Sequence, residues 1–181
     1  MLLEKLSEAF GVSGAEGDVR EILAEAIRPH VDELRADTIG NLIATKRAQE
    51  SSPAGAPRVM VAAHMDEVGL MITHVEKSGR VPGVIAGKPV HLMKPEDRQK
   101  VMPEEQMAID IGATSQETAE EAVKVGDYAI FATRFSPLDD AGGRLVKGKA
   151  FDDRAGCAVL AALLEERYPV ELVGVFTVQE E

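Results

Sequence analysis

The sequence predicts an α/β domain interrupted by a β-rich insertion, and three observations carry that reading. Val59-Met60-Val61-Ala62-Ala63 is a continuous apolar run, the pattern of a strand covered on both faces. Ala155, Val159, Leu160, Leu163 and Leu164 line one face of a helix that follows Asp153 and ends near Arg167, and Pro169 then opens an apolar strand from Val170 to Val178. Strand, helix and strand in succession are α/β grammar. From about Lys77 to Gly148 the chain turns instead to short β-like pieces separated by Gly and Pro. The expected division is 1–76 and 149–181 for the two parts of the α/β domain, with 77–148 as the insertion.

Element by element, Leu2, Leu3, Leu6 and Phe10 recur at helical spacing before Gly11 to Gly17 breaks the pattern. Ser13 and Glu16 stand three residues apart, the spacing of a capping box, ahead of a second helix whose stripe is Val19, Ile22, Leu23, Ala26 and Ile27 and which closes near Pro29. A short strand pair is expected to flank Asp37-Thr38-Ile39-Gly40-Asn41, since Gly and Asn punctuate two β-prone runs there. The polar segment from Ser51 to Pro57 reads as a turn that delivers the chain into the 59–63 run, and Val68 to Val75 gives a further strand. Inside the insertion the β-like pieces are Ala108 to Ile111, Tyr128 to Phe135 and Arg144 to Val146, with a short helix from Ser115 to Lys124 and a solvated charged loop over 94–100.

A chain of 181 residues and 19.4 kDa can bury a real core and still carry a small inserted domain. Twenty Lys and Arg against 31 Asp and Glu leave a net charge of -11, which excludes nucleic acid and anionic membrane as primary partners. The first residues, Met1 to Glu8, carry acids where a secretory signal needs positive charge and then an apolar run, and no stretch approaches a membrane span. The lone Cys157 cannot form an internal disulfide and lies in an apolar helical stretch, as a buried structural thiol does. A reducing cytoplasm is the expected location.

Three acidic signatures fall in order, each at or near the end of an apolar run: His64-Met65-Asp66, Asp152-Asp153 and Glu180-Glu181. His64 ends the buried strand, the edge of an α/β sheet where ligands gather, and Asp66 is placed to orient its imidazole rather than to bind a metal. Asp152-Asp153 opens a helix, where one reading is an N-cap favoured by the helix dipole; the other is Asp152 bridging two divalent ions about 3.5 to 4 Å apart. Adjacent strand residues face opposite sides, so Glu180 and Glu181 serve one site only where the strand has become a loop. One would then bind metal and the other act as general base on a water made acidic by the ions.

The chain resembles the tetrahedral aminopeptidases, a family of two-metal exopeptidases that includes glutamyl, leucyl and lysyl aminopeptidases. The resemblance is carried by Phe10-Gly11-Val12-Ser13-Gly14-Ala15-Glu16, Asp37-Thr38-Ile39-Gly40-Asn41-Leu42, Ala63-His64-Met65-Asp66-Glu67-Val68-Gly69, Lys94-Pro95-Glu96-Asp97-Arg98, Ile109-Asp110-Ile111-Gly112-Ala113, Ala150-Phe151-Asp152-Asp153-Arg154 and Thr177-Val178-Gln179-Glu180-Glu181. It implies an α/β/α sandwich with an inserted β-barrel-like assembly domain, and a homo-oligomer of up to a dodecamer. It also implies hydrolysis of the N-terminal bond of peptides with Zn²⁺ or Co²⁺ as the metal pair. By analogy His64 binds one ion, Asp152 bridges, Glu181 binds the other, Glu180 is the base and Asp66 orients His64; a cis peptide between Asp152 and Asp153 is implied as well.

Two departures from the family pattern shape the expectation. The family carries a further Asp and a further His downstream of the paired glutamates, so this chain reads as an amino-terminal portion with the C-terminal part of the catalytic domain absent, inactive alone. His30, His74 and His91 are not expected to replace the missing ligands, and without further strands Leu172 to Val178 is expected at a sheet edge. The step from Glu76-Lys77-Ser78-Gly79-Arg80 to Val81 is also short for the family, shrinking the barrel. A non-catalytic assembly fragment is the alternative function. Glycoside hydrolysis, a label borne by some relatives, fits poorly because neighbouring glutamates cannot easily flank a sugar bond.

Overall fold

Residues 1–50, 52–53, 55–72, 81–86, 94, 103, 107–138 and 145–181 are described by the structure, a computed structural model. His74, His91, most of the charged 94–100 loop and the far end of the strand expected over 68–75 lie outside the described residues. The elements run α1 (Leu2–Glu8), α2 (Gly17–Ile27), a 3-10 turn (Arg28–His30), β1 (Glu33–Ala36), β2 (Leu42–Lys46), β3 (Arg58–His64), β4 (Leu70–Met71), β5 (Val84–Ala86), β6 (Ala108–Asp110), α3 (Gln116–Glu120), β7 (Tyr128–Ala129), β8 (Ser136–Pro137), β9 (Val146–Lys147), α4 (Phe151–Glu165) and β10 (Glu171–Thr177). The fold is mixed α/β. Contacts divide it into two units, Met1–Leu70 with Ile130–Glu181, and Met71–Ala129.

The first unit is built on a four-stranded sheet in the order β1-β2-β10-β3. β2 is antiparallel to both β1 and β10, whereas β10 runs parallel to β3, and α4 supplies the crossover that a parallel pair requires. Alternation sets the inner face. Leu42, Ala44 and Lys46 of β2 are buried while Ile43 and Thr45 are less so, and on β10 Leu172 and Phe176 join them. Against that face pack Leu6 of α1, Val19, Leu23 and Ile27 of α2, and Cys157, Leu160, Ala161 and Leu164 of α4. Lys46 is buried because its ammonium donates to the carbonyls of Leu164 at 2.6 Å and Glu165 at 3.0 Å, closing the carboxyl end of α4 where a cation is favoured.

Two burial expectations are overturned by this topology. β10 is not an edge: it lies between β2 and β3, which supply neighbours on both sides. β3, expected to be covered on both faces, is the outer strand, with Val59 41% and Met60 70% exposed. Among the described residues the helices α1, α2 and α4 cover only the face that carries Leu42, Phe176 and Ala63, so the apolar run of β3 is not matched by a second layer. A third correction concerns Ser13 and Glu16. Glu16 is the N-cap residue of α2 but makes no side-chain cap bond; its carboxylate accepts from the backbone of Gly14 and Gln179 instead.

In the unit Met71–Ala129, β5 and β6 form an antiparallel pair in the register Val84↔Asp110, Ile85↔Ile109 and Ala86↔Ala108. The helix expected over 115–124 is the shorter α3, capped by the Ser115 hydroxyl, which accepts from Thr118 N–H. The strand expected from Tyr128 to Phe135 stops at Ala129, and Ile130 to Phe135 has no regular structure. Beyond it, in the first unit, β8 pairs with β9.

Candidate metal centre

The carboxyl ends of β3 and β10 lie side by side, with His64 opposite Thr177 in the parallel register. This is the edge at which an α/β sheet gathers ligands. The start of α4 brings the third segment. Ala150 is left-handed at φ 55° and Asp152 and Asp153 have non-helical torsions before the regular helix begins; the peptide between them is cis, as the resemblance implied. The two aspartates have different partners. Asp153 caps the helix, accepting the Gly156 N–H at 3.1 Å, while the Asp152 carboxylate, 87% exposed, stands 3.2 Å from His64 Nε2.

Gly156 makes that cap possible, because a Cβ there would lie 2.2 Å from one Asp153 carboxylate oxygen and 2.6 Å from the other. At the end of β10, Gln179 is left-handed at φ 59°, so the strand has already become a loop and both glutamates reach the same edge. A carboxylate oxygen of Glu180 lies 3.8 Å from His64 Nε2. His64, Asp152 and Glu181 each offer one ligand atom, all within 4.8 Å of one another.

Behind the imidazole, Asp66 is fully buried. Its Oδ2 accepts the backbone N–H groups of Glu180 at 3.0 Å and Glu181 at 2.9 Å, so the residue that faces His64 also grips the loop of the paired glutamates. Its Oδ1 lies 3.4 Å from His64 Nδ1; the distance suits an ion pair, but the alignment falls short of a hydrogen bond and both buried atoms are otherwise unpartnered. The His64 environment pulls both ways. Burial disfavours the imidazolium, but the Asp152 hydrogen bond and the charges of Asp66, Glu180 and Asp153 outweigh it and raise the pKa above the ordinary histidine value.

That geometry suits a divalent ion on three counts. One imidazole nitrogen and two carboxylate oxygens form a borderline donor set of the kind that holds catalytic zinc with three protein ligands. The excess of acids at the cluster is what a cation would neutralise. Ligation at Nε2 would leave the proton on Nδ1, directed at the otherwise unpartnered Asp66 Oδ1, the usual carboxylate support for a metal-bound histidine.

Sequence reasoning missed the polar cluster beneath the site. Arg154 is fully buried and donates to the carbonyls of Met65, Leu6, Ala9 and Gly11 and to the Glu67 carboxylate at 3.1 Å. Lys149 reaches the same carboxylate at 2.6 and 2.8 Å and the Ala9 carbonyl at 2.8 Å. The cluster binds the segment after His64 to the segment around Asp152 and to the end of α1. The available signal was a pair of opposite charges, Glu67 and Arg154, each directly beside a site residue, since charges are buried only when paired.

A cavity of about 300 Å³ borders the centre, with Glu67, Val68, Phe131, Phe151, Asp152 and Glu181 in its wall. A larger one, about 640 Å³, lies along 14–20 and 36–40 and contains none of the three candidate ligands. The smaller cavity is the one next to the candidate centre, because Asp152 and Glu181 stand in its wall.

An α/β sheet that gathers an imidazole and several carboxylates at its carboxyl edge is a setting in which metal-dependent hydrolases place their ions. The chain belongs to the M42 glutamyl aminopeptidase family, whose pattern it matches over residues 40–82 and 75–181. It is 30% identical to the glutamyl aminopeptidase of Lactococcus lactis subsp. cremoris, a match covering 99% of this chain and 59% of that one. Among solved structures it is similar to the TET aminopeptidase of the Thaumarchaeota archaeon SCGC AB-539-E09, at 36% identity and a TM-score of 0.84 over 99% of this chain and 58% of that one. It is also similar to the TET1 peptidase of Pyrococcus horikoshii, a protein that can assemble into a tetrahedron or a large octahedral shell, at 31% identity and a TM-score of 0.76 over 99% of this chain and 60% of that one. The chain thus spans about three fifths of the length of these relatives.

Proposed function

We propose that the protein of which these residues form the matched part is a metalloaminopeptidase that removes the first residue of peptides. The observation that carries the reading is the convergence of His64, Asp152 and Glu181 within 4.8 Å at the sheet edge, in a chain of the M42 family. His64, Asp152 and Glu181 would hold the metal. When bound, divalent Zn or Co supplies Lewis acidity and lowers the pKa of a coordinated water. Glu180, whose carboxylate is 62% exposed beside His64, takes the proton from the attacking water and returns it to the leaving amine. Asp66 holds the His64 ring and the glutamate loop in place. The surplus of carboxylates favours a substrate that presents a free ammonium end.

A homo-oligomer follows from the TET relatives as part of the same proposal, and light scattering of the purified protein tests it: a monomer at all concentrations removes it. The activity is tested in a protein of full family length with peptides bearing a free or an acetylated amino end. Cleavage of the free peptide alone is expected, and Glu180→Gln should lower turnover by about 10²-fold or more while metal content stays unchanged. Full turnover in Glu180→Gln refutes its role as base. A wild-type protein that takes up no Zn²⁺ or Co²⁺ supports the assembly-fragment alternative. Release of sugar from a cello-oligosaccharide without peptide cleavage would favour the glycosidase label, which one similar structure, the endoglucanase of Thermotoga maritima, also carries.

A further inference from the structure

Val178, Gln179, Glu180 and Glu181 have consecutive backbone N–H groups, and every one is accepted by a side-chain oxygen from elsewhere in the first unit. Val178 N–H donates to Asn41 Oδ1 at 3.0 Å, Gln179 N–H to Glu16 Oε1 at 3.1 Å, and those of Glu180 and Glu181 to Asp66 Oδ2 at 3.0 and 2.9 Å. The acceptors come from three separate segments, each themselves fixed. Glu16 is 4% exposed and takes the Gly14 N–H at 2.8 Å with the same oxygen. The Asn41 amide is oriented by donating through Nδ2 to Asp37 Oδ2 at 2.8 Å, and Asp37 Oδ1 in turn accepts from Ile39, Gly40 and Asn41 N–H.

A loop needs such over-determination when it holds a non-glycine residue in the left-handed region, as Gln179 is at φ 59°; that conformation persists only where the surroundings enforce it. We infer that Glu16 and Asn41 are positioning residues that, with Asp66, hold the Val178–Glu181 loop so that Glu180 and Glu181 face the metal centre. Neither side chain is among the three candidate ligands. They act through the backbone of the two glutamates, in the manner of the outer hydrogen-bond partners that orient metal ligands. The inference deepens the proposed function and rests on its reading of Glu180 and Glu181 as base and ligand.

The 181-residue chain itself tests it, by amide hydrogen exchange at 178–181 and by a competition titration with Zn²⁺ against a chromogenic chelator. Glu16→Met removes the acceptor at similar volume, and Glu16→Gln restores it. Gln179 N–H is expected to exchange much faster in Glu16→Met and near the wild-type rate in Glu16→Gln, and Asn41→Leu should do the same to Val178 N–H. Zn²⁺ affinity should fall by about 10- to 100-fold in Glu16→Met and Asn41→Leu and recover in Glu16→Gln. Ile27→Val, a core change at the opposite end of α2 from Glu16, controls for stability alone and should leave affinity unaltered. Unchanged exchange of Gln179 in Glu16→Met, or an affinity loss equally large in Glu16→Gln, overturns the inference. If the wild-type chain binds no Zn²⁺ the metal reading fails, and the exchange rates alone still decide whether these two side chains hold the loop.

Discussion

Asp152 and Asp153 are neighbours of the same type with different work, and the difference comes from backbone direction. Asp153 faces along the helix axis and caps it; Asp152 faces His64. Their sequence alone left the N-cap and metal readings open, because both residue and position suit either. Gly156 is the side condition, and Gly156→Ala should cost about 1–3 kcal/mol as the new methyl displaces the capping carboxylate, in spite of the better helix propensity of Ala. Urea unfolding measures this, and a neutral or stabilising result would show that Asp153 can move away without loss. Cys157 offers a second test. Its thiol donates to the His64 carbonyl at 3.1 Å, and burial pushes its pKa up to about 12, leaving almost no thiolate at neutral pH. Native protein should therefore react with a disulfide reagent only on the timescale of its unfolding; rapid labelling of the folded chain would contradict the burial.

At the scale of elements, α2, α4 and β10 were legible because each has a strong periodic stripe and a clear breaker, with Gly17, Pro29 and Pro169 as the punctuation. The Asp37-to-Asn41 turn was equally legible, since Asp37 satisfies three successive N–H groups and Gly40 takes φ 108°. What failed was burial that depends on distant neighbours. The apolar run of β3 looks the same whether it lies inside a sheet or at its margin, and Glu16 looked like a local cap because its true partner, Gln179, is 163 positions away. Arg154 belongs to the same class of hidden long-range roles. Arg154→Met should destabilise by about 3–5 kcal/mol, because it leaves Glu67 charged and buried with one partner fewer and takes one donor from each of four carbonyls. Arg154→Lys should not restore stability, since one ammonium cannot span the positions of a planar fork. Chemical denaturation decides, and full rescue by Lys would mean that charge alone matters there.

For the molecule as a whole, an excess of eleven negative charges makes self-repulsion part of the folded state, and the carboxylates crowded around His64 concentrate it at one sheet edge. A cation bound there relieves that repulsion in the folded chain, whereas the unfolded chain scatters the same ligands along 118 positions from His64 to Glu181 and binds far more weakly. Linkage then fixes the size of the effect. At free metal about 100-fold above the dissociation constant, the folded state gains about 2.7 kcal/mol, and for a chain of this length each kcal/mol moves Tm by about 2–4 °C. Zn²⁺ or Co²⁺ should therefore raise Tm by about 5–11 °C, a chelator should reverse it, and Mg²⁺, which prefers oxygen ligands in an octahedron, should do much less. His64→Ala and Asp152→Asn should each abolish most of the shift, and Asp152→Asn should leave the metal-free Tm nearly unchanged, because the Asp152 carboxylate is solvated and its pairing with His64 is weak. Calorimetry with and without metal reads all of this. An equal shift in His64→Ala would place the stabilising cation elsewhere on the acidic surface, and an equal response to Mg²⁺ would reduce the effect to general charge screening.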